Sequence, residues 1–255
     1  MNELRQKITN YWNNQPCNIR HSSSEIGSLD FFKENSSKRY FVEPHIKDFA
    51  QFHLYQGKRI LEIGCGIGAD AEEFVRHGAE YVGIDISETS LELAKKRFEL
   101  NDLKGEFILT SGDAITNLGK FDLVYSIGVL HHYPEVESTI EQIHHVLNDS
   151  GEFKFMVYAK NSWKYAMIRK GLDQFEAQAG CPYARVYTQD DVYDLLDGKF
   201  KIARIRQDHC FMYDLNKYKQ HTYELAPWFA AMPNDMRDAI KEYLGWHLLV
   251  KAYKI

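Results

Sequence analysis

The chain is poor in the features that mark several protein classes. Its four cysteines, Cys17, Cys65, Cys181 and Cys210, are widely spaced and form no C-x-x-C pair. Neither a disulfide framework nor a thiolate zinc site is expected. No apolar run approaches the roughly 20 residues of a membrane-crossing helix. The opening Met-Asn-Glu-Leu-Arg-Gln-Lys lacks the apolar core of a signal peptide. An excess of basic charge is missing too: the formal net charge is −5 and the lysines and arginines are scattered. The one local cluster, Lys95-Lys96-Arg97, falls on an expected helix, where a solvated face is the plain reading. Neither nucleic acid nor a membrane is therefore an expected partner, and there is no internal repeat or low-complexity tract. What remains is a 255-residue chain with room for one real core and a cap. It is expected to be reduced, cytoplasmic and without a metal site.

Residues 58 to 68 carry the most information. They read Lys-Arg-Ile-Leu-Glu-Ile-Gly-Cys-Gly-Ile-Gly, a short apolar run with an acid at Glu62 and alternate glycines at 64, 66 and 68. This is a buried strand turning sharply into a helix, with bare backbone against which a ligand can lie. The helix, expected from about residue 70 to 77, stops at Gly78, a good C-cap residue. A strand, a glycine turn and a helix N-terminus make a nucleotide-cofactor site. Gly64, Gly66 and Ala69 also satisfy G-x-G-x-x-A, and Asp85 lies at the distance expected for a ribose grip, so a dehydrogenase stays open on this motif alone. Further strands are expected at 81–84, 107–110, 121–125 and 153–158. Helices are expected behind a Ser87 cap to about residue 100, and at 135–147 with Val136, Ile140, Ile143 and Leu147 on one face. The pattern predicts an α/β, doubly wound sheet.

Other motifs narrow the cofactor. Glu62 stands two residues before the first glycine, and Asp85 closes the second strand. Ser111-Gly112-Asp113-Ala114 follows the third, and the fourth opens into Ser126-Ile127-Gly128-Val129-Leu130-His131-His132-Tyr133-Pro134. The ordered set, E-x-G-x-G-x-G, a strand-two acid, G-D-A and F-D-x-V…V-L-H-H-x-P, resembles the class I S-adenosylmethionine (SAM)-dependent methyltransferases over roughly residues 56 to 160. The resemblance implies a Rossmann-like, mostly parallel sheet with an antiparallel last strand, for which 201–206 and 247–253 are the candidates. It implies transfer of a methyl group from SAM to an oxygen or nitrogen of a small metabolite. Cofactor contacts are implied for Glu62, Gly64, Cys65, Gly66 and Gly68, for Asp85 and Ile86 at the ribose, Asp113 and Ala114 at the adenine, and Ser126 and Ile127 near the methionine part. Arg39, beside Tyr40, is a candidate for the methionine carboxylate.

The acceptor must be read outside the core. Residues 1–55 are expected to form an N-terminal helical cap segment. Residues 56–255 form the SAM-binding domain, with cap insertions at about 159–198 and 208–244. His132 and His131 follow strand four, where a neutral imidazole can take a proton from a hydroxyl or ammonium acceptor. The insertions are rich in aromatics, which can line a pocket. Tyr158, Asn161, Trp163, His209, Tyr223 and Trp228 are expected beside the acceptor, with Phe211 nearby and Lys164, Arg169, Arg185 and His221 as orienting groups. Each assignment has a structural alternative: a turn for the glycines, a helix cap for Asp113, loop packing for the histidines, and a small cap core or a homodimer contact for the aromatics. Two other functions stay open, a same-fold enzyme that cyclises or cleaves SAM and a peptide or RNA methyltransferase. An Asn/Asp-Pro-Pro-Tyr motif, common where planar amino nitrogens are methylated, is absent after strand four.

Overall fold

The computed structural model describes residues 3–173, 180–210, 212–220 and 222–255; Phe211 and His221 lie outside them. Three helices come first, α1 (Glu3–Asn14), α2 (Leu29–Val42) and α3 (His45–Ala50). Alternation follows: β1 (Arg59–Ile63), α4 (Ala69–Arg76), β2 (Glu80–Asp85), α5 (Glu88–Leu100), β3 (Glu106–Leu109), β4 (Phe121–Ile127), α6 (Val136–Val146) and β5 (Leu147–Ala159). The remainder is α7 (Trp163–Arg169), β6 (Val186–Tyr187), α8 (Gln189–Leu196), β7 (Phe200–Asp208), α9 (Leu215–Lys219), α10 (Pro227–Ala230), α11 (Asn234–Leu244) and β8 (His247–Lys254). No helix among the described residues is long and apolar enough to cross a membrane.

The strands form one sheet in the order β3-β2-β1-β4-β5-β8-β7, with β6 added in parallel at the end of β5. Pairing is parallel from β3 through β5, and β8 runs antiparallel to both β5 and β7. The expected doubly wound, mostly parallel sheet is the one the chain forms. Strand order reverses between β1 and β4, which opens a crevice at their carboxyl ends.

Both faces are covered, as parallel sheets require. On one face Leu61, Ile63, Val82, Ile84 and Val124 meet Ile140 and Ile143 of α6 and Val192 and Leu196 of α8. On the other, Ile60, Tyr81, Leu123 and Tyr125 meet Phe74 of α4 and Leu91 and Phe98 of α5. Phe74 is fully buried, edge-on to Phe52 at 4.7 Å and Tyr125 at 5.1 Å. Deleting such a ring from a packed core costs about 3–5 kcal/mol, so this cluster fixes α4 to the sheet. The Ser87 hydroxyl accepts from Ser90 N–H at 3.1 Å, the expected cap of α5.

One boundary differs from the sequence reading. β5 begins at Leu147, straight after α6, because Leu147 pairs with Phe121 before a register shift brings Glu152 opposite Leu123. The residues between, read as a loop, bulge out of the strand with Ser150 at φ 60°.

Candidate functional site

The glycine turn joins β1 to α4 at the crevice. The N–H groups of Gly64 and Cys65 both donate to the Ile84 carbonyl, at 2.8 and 3.0 Å, clamping the turn to β2. The glycines differ in role. A Cβ on Gly64, at φ 76°, would lie 2.2 Å from Val129 Cγ2, so only glycine lets the loop after β4 close over the turn. A Cβ on Gly66 would meet nothing within 4 Å, and Gly66 lines a cavity. Gly68 looks the other way: its Cβ would come 3.3 Å from Ala94 Cβ on α5, and it does not line the cavity.

Asp85 and Glu62 face that cavity beside the turn. Asp85 accepts the Gly66 N–H at 2.8 Å on Oδ2 and the Ser87 N–H at 2.9 Å on Oδ1. Burial nevertheless pushes its pKa above the usual carboxylate value. Glu62 accepts from the Tyr81 hydroxyl at 2.5 Å. Burial, and next the charge of Asp70, raises the Glu62 pKa to about 8, so it holds a proton near neutrality and can donate. Cys65 lines the cavity, but burial pushes its thiol well up, which makes it a poor nucleophile. Ile86 and Ile127 complete this wall.

Asp70, in the first turn of α4, ties the N-terminal helices to the turn. Its Oδ1 accepts from Arg39 Nε at 3.1 Å and the Tyr40 hydroxyl at 2.8 Å. Its Oδ2 accepts from Arg39 Nη2 at 2.9 Å and the Tyr125 hydroxyl at 3.0 Å. Burial raises the Asp70 pKa, but the Arg39 guanidinium and these hydrogen bonds win and hold it below the usual value. Arg39 borders the cavity, yet its fork is committed to Asp70 and not open to a ligand carboxylate; Tyr40 lies beneath the turn, off the cavity.

The far end is built by the loop after β4 and by the cap. His132 lines the cavity, with Trp12 of α1 edge-on at 5.1 Å. Its Nδ1 lies 2.7 Å from the Tyr183 carbonyl. A carbonyl only accepts, so Nδ1 carries the proton and Nε2 is the basic nitrogen of the neutral ring. His131 does not reach the cavity. It is fully buried and stacked on Tyr158, neither ring nitrogen has a partner among the described residues, and burial pushes its pKa well down. Tyr158 is sandwiched between His131 and Trp246, at ring separations of 3.6 and 4.2 Å.

One cavity of about 540 Å³ joins these two ends, within the range of small-molecule sites. Ile8 and Trp12 roof it, and Tyr133, Tyr158, Lys164, His209, Tyr218, Tyr223, Trp246 and His247 line it together with the glycine-turn residues. Other expected residues are elsewhere. Asp113 is taken by Arg5 of α1 at 2.5 Å and by the Ser111 hydroxyl, while Ala114 points to solvent. Thr110, Ser111 and Tyr133 border the cavity in their place. The Ser126 hydroxyl is buried, donating to the Ile63 carbonyl at 3.1 Å. Asn161 is exposed, and its backbone carbonyl accepts from the Gln207 side chain at 2.6 Å. Trp163 and Trp228 pack on each other and on Phe229 in a separate apolar cluster, with Trp228 55% exposed. Arg169 and Arg185 are also off the cavity. Lining residues to which the sequence reading gave no site role include Glu43, Asp70, Tyr133, Trp246 and His247. Of these, Tyr133 lies inside the quoted loop motif, and the others have no local sequence signature.

The chain is similar to several proteins named as methyltransferases. A family model described as a methyltransferase domain matches residues 61–153. The ubiquinone biosynthesis O-methyltransferase of Ruegeria pomeroyi is 29% identical over 185 residues, covering 71% of this chain and 68% of that protein. That of Azoarcus sp. is 33% identical over 119 residues, covering 46% and 51%. The chain thus spans about half to two thirds of these relatives. Among solved structures, magnesium protoporphyrin IX methyltransferase from Synechocystis PCC 6803 with bound SAM aligns over 100% of this chain and 99% of that one, with a TM-score of 0.62 at 15% identity. The N-methyltransferase NodS from Bradyrhizobium japonicum, in complex with S-adenosylhomocysteine, aligns over 85% and 87% with a TM-score of 0.55 at 14% identity.

Proposed function

We propose that the chain is a class I SAM-dependent methyltransferase whose cavity holds SAM at the glycine end and a small acceptor at the cap end. The observation that carries this reading is the continuity of the cavity from Gly64, Gly66 and Asp85 to His132, Tyr158 and Tyr223. The bare backbone at Gly66 and the half-committed carboxylate of Asp85 suit the ribose part of SAM, with Leu109, Thr110 and Ser111 beside the adenine. Bound SAM supplies an already activated methyl group, so the protein's task is position and the exclusion of water. Ile8, Trp12 and Ile127 exclude water, and Tyr158 and Tyr223 present aromatic walls to the acceptor. His132, its Nδ1 pinned by Tyr183, has Nε2 as its basic nitrogen; that atom is buried, so taking the acceptor's proton requires a small ring rotation toward the cavity. The names of the similar proteins favour an oxygen nucleophile.

Incubation with methyl-labelled SAM and a panel of phenolic, hydroxylated and amino metabolites tests the reading. Labelled small-molecule product with stoichiometric S-adenosylhomocysteine is expected. Methylthioadenosine in its place would identify a cofactor-cleaving enzyme, and label only in peptide or RNA would overturn the small acceptor. In the same assay His132→Asn should lower the rate about a hundredfold with cofactor affinity near normal. A near-normal rate would reassign His132 to packing.

A further inference from the structure

At the cap end of the cavity, three histidines and a glutamate gather from distant parts of the chain. Glu43 ends α2, His45 opens α3, His209 follows β7 and His247 opens β8. All three imidazoles are buried. His45 Nε2 and His247 Nδ1 are hydrogen-bonded at 2.9 Å, and His247 Nε2 lies 3.7 Å from Glu43 Oε1. The His209 and His247 rings are 4.6 Å apart. His209 holds φ at 64°, a backbone conformation uncommon for a side-chain-bearing residue and concentrated at functional sites. His209 lines the cavity, as the cap expectation had it, in the company of another imidazole and a carboxylate.

From this arrangement we propose that Glu43, His209 and His247 form a binding site for one first-row divalent transition-metal ion, facing the acceptor end of the cavity. One ligand atom from each residue comes within 4.8 Å of the other two. Ligands at about 2.0–2.1 Å from such an ion stand roughly 3.4 Å apart in a tetrahedron, so the Glu43–His247 spacing is already close and modest side-chain rotation closes the rest. Two imidazoles and one carboxylate suit zinc, iron, cobalt or manganese, whereas magnesium and calcium favour oxygen-only cages. His45 does what an outer partner of a ligating imidazole does: it fixes the ring of His247 through Nδ1 and leaves Nε2 to the ion. Asp173, 3.6 Å from Lys164 Nζ, offsets the nearby ammonium charge. Glu43, His209 and His247 all line the cavity, so the positions left open on the ion face it and take water or an oxygen of the acceptor. A hydroxyl bound there loses its proton more easily. That last role rests on the methyltransferase reading; the ion site itself does not.

The test uses untagged full-length protein and Zn²⁺ or Co²⁺ alone. Calorimetry should give one ion per chain, and X-ray absorption of the Zn²⁺-loaded protein should show nitrogen and oxygen neighbours at about 2.0–2.1 Å with imidazole scattering. His209→Ala and His247→Ala should abolish that site, and His45→Ala should weaken it about 10–100-fold. S-adenosylhomocysteine binding should persist in all three, which separates this proposal from the cofactor reading. Absence of saturable binding, a zinc spectrum without imidazole scattering, or a site unchanged in folded His209→Ala and His247→Ala proteins overturns it. The absorption spectrum of the unsubstituted protein decides the matter even if a variant does not fold.

Discussion

Asp70→Asn is the substitution whose cost the structure fixes most tightly. Four donors converge on the carboxylate: Nε and Nη2 of Arg39 and the hydroxyls of Tyr40 and Tyr125. An asparagine keeps one oxygen and turns an NH₂ toward the other two donors, so half of the acceptor capacity is lost while Arg39 stays charged and nearly buried. Neutralising one partner of a buried ion pair costs about 3–5 kcal/mol. Glu43 Oε2, 3.7 Å from Arg39 Nη1, recovers part of this, which puts the loss near 3 kcal/mol. That is a large share of the 5–15 kcal/mol typical of folded domains. Urea denaturation followed by circular dichroism reads it as a lowered midpoint. Adding Arg39→Met should return stability, because the uncompensated charge goes with it, and the cycle should show coupling well above 1 kcal/mol. Neutralising Asp70 also removes one of the charges that raise the Glu62 pKa, so the Glu62 carboxyl band in infrared difference spectra should titrate at lower pH. A loss under about 1 kcal/mol, or costs that simply add, would refute the argument.

Three further outcomes are expected. Gly64→Ala combines a positive-φ penalty of about 1–2 kcal/mol with a clash of about 1–3 kcal/mol against Val129. Val129→Ala should relieve the clash alone; additive losses in thermal denaturation would show that the two residues do not meet. Asp85→Asn should weaken S-adenosylhomocysteine binding by about 2–4 kcal/mol, read by calorimetry, with little change in melting temperature; unchanged affinity would remove Asp85 from the site. For Glu62, an unfolded glutamate ionises near 4.3 while the folded group keeps its proton to about 8. Wild type should therefore lose stability relative to Glu62→Gln as pH rises through that window, by at most about 1.4 kcal/mol per unit, and level off above it. A melting-temperature difference constant from pH 5 to 8 would refute the raised pKa.

The sheet was legible because its signals are local. Apolar runs such as Ile60 to Ile63, the glycine turn and the Ser87 cap each declare themselves within a few residues, and tertiary packing reinforced them. The cavity lining was most legible where it is made of that local geometry, at Glu62, Gly64, Cys65, Gly66, Asp85, Ile86, Ile127 and His132. Asp113 was assigned to the adenine from the G-D-A motif, but Arg5, far away in sequence, claims it. Aromatic density found the cap without its inward face: Tyr158 and Tyr223 point to the cavity, while Trp163 and Trp228 satisfy each other outside it. The pairing of Asp70 with Arg39 and the meeting of Glu43, His209 and His247 have no spacing signature, because the fold alone brings their segments together.

Helix α1, which roofs the cavity, is fastened lightly. Asn13 Oδ1 accepts from the Thr89 N–H and hydroxyl at 3.1 Å each and from the Ser87 hydroxyl at 3.3 Å, and Arg5 reaches Asp113 and Glu135. Only Ile8 of the helix is buried. Exposed ion pairs and single side-chain bonds are each worth about 1 kcal/mol or less, so undocking costs a few kcal/mol against the much larger cost of opening the sheet. Exchange of a spent cofactor can therefore run through a minor undocked population with the strands undisturbed. Turnover would then be governed by how often a twelve-residue latch lifts, and shortening Asn13 should quicken cofactor release while leaving the chemical step alone.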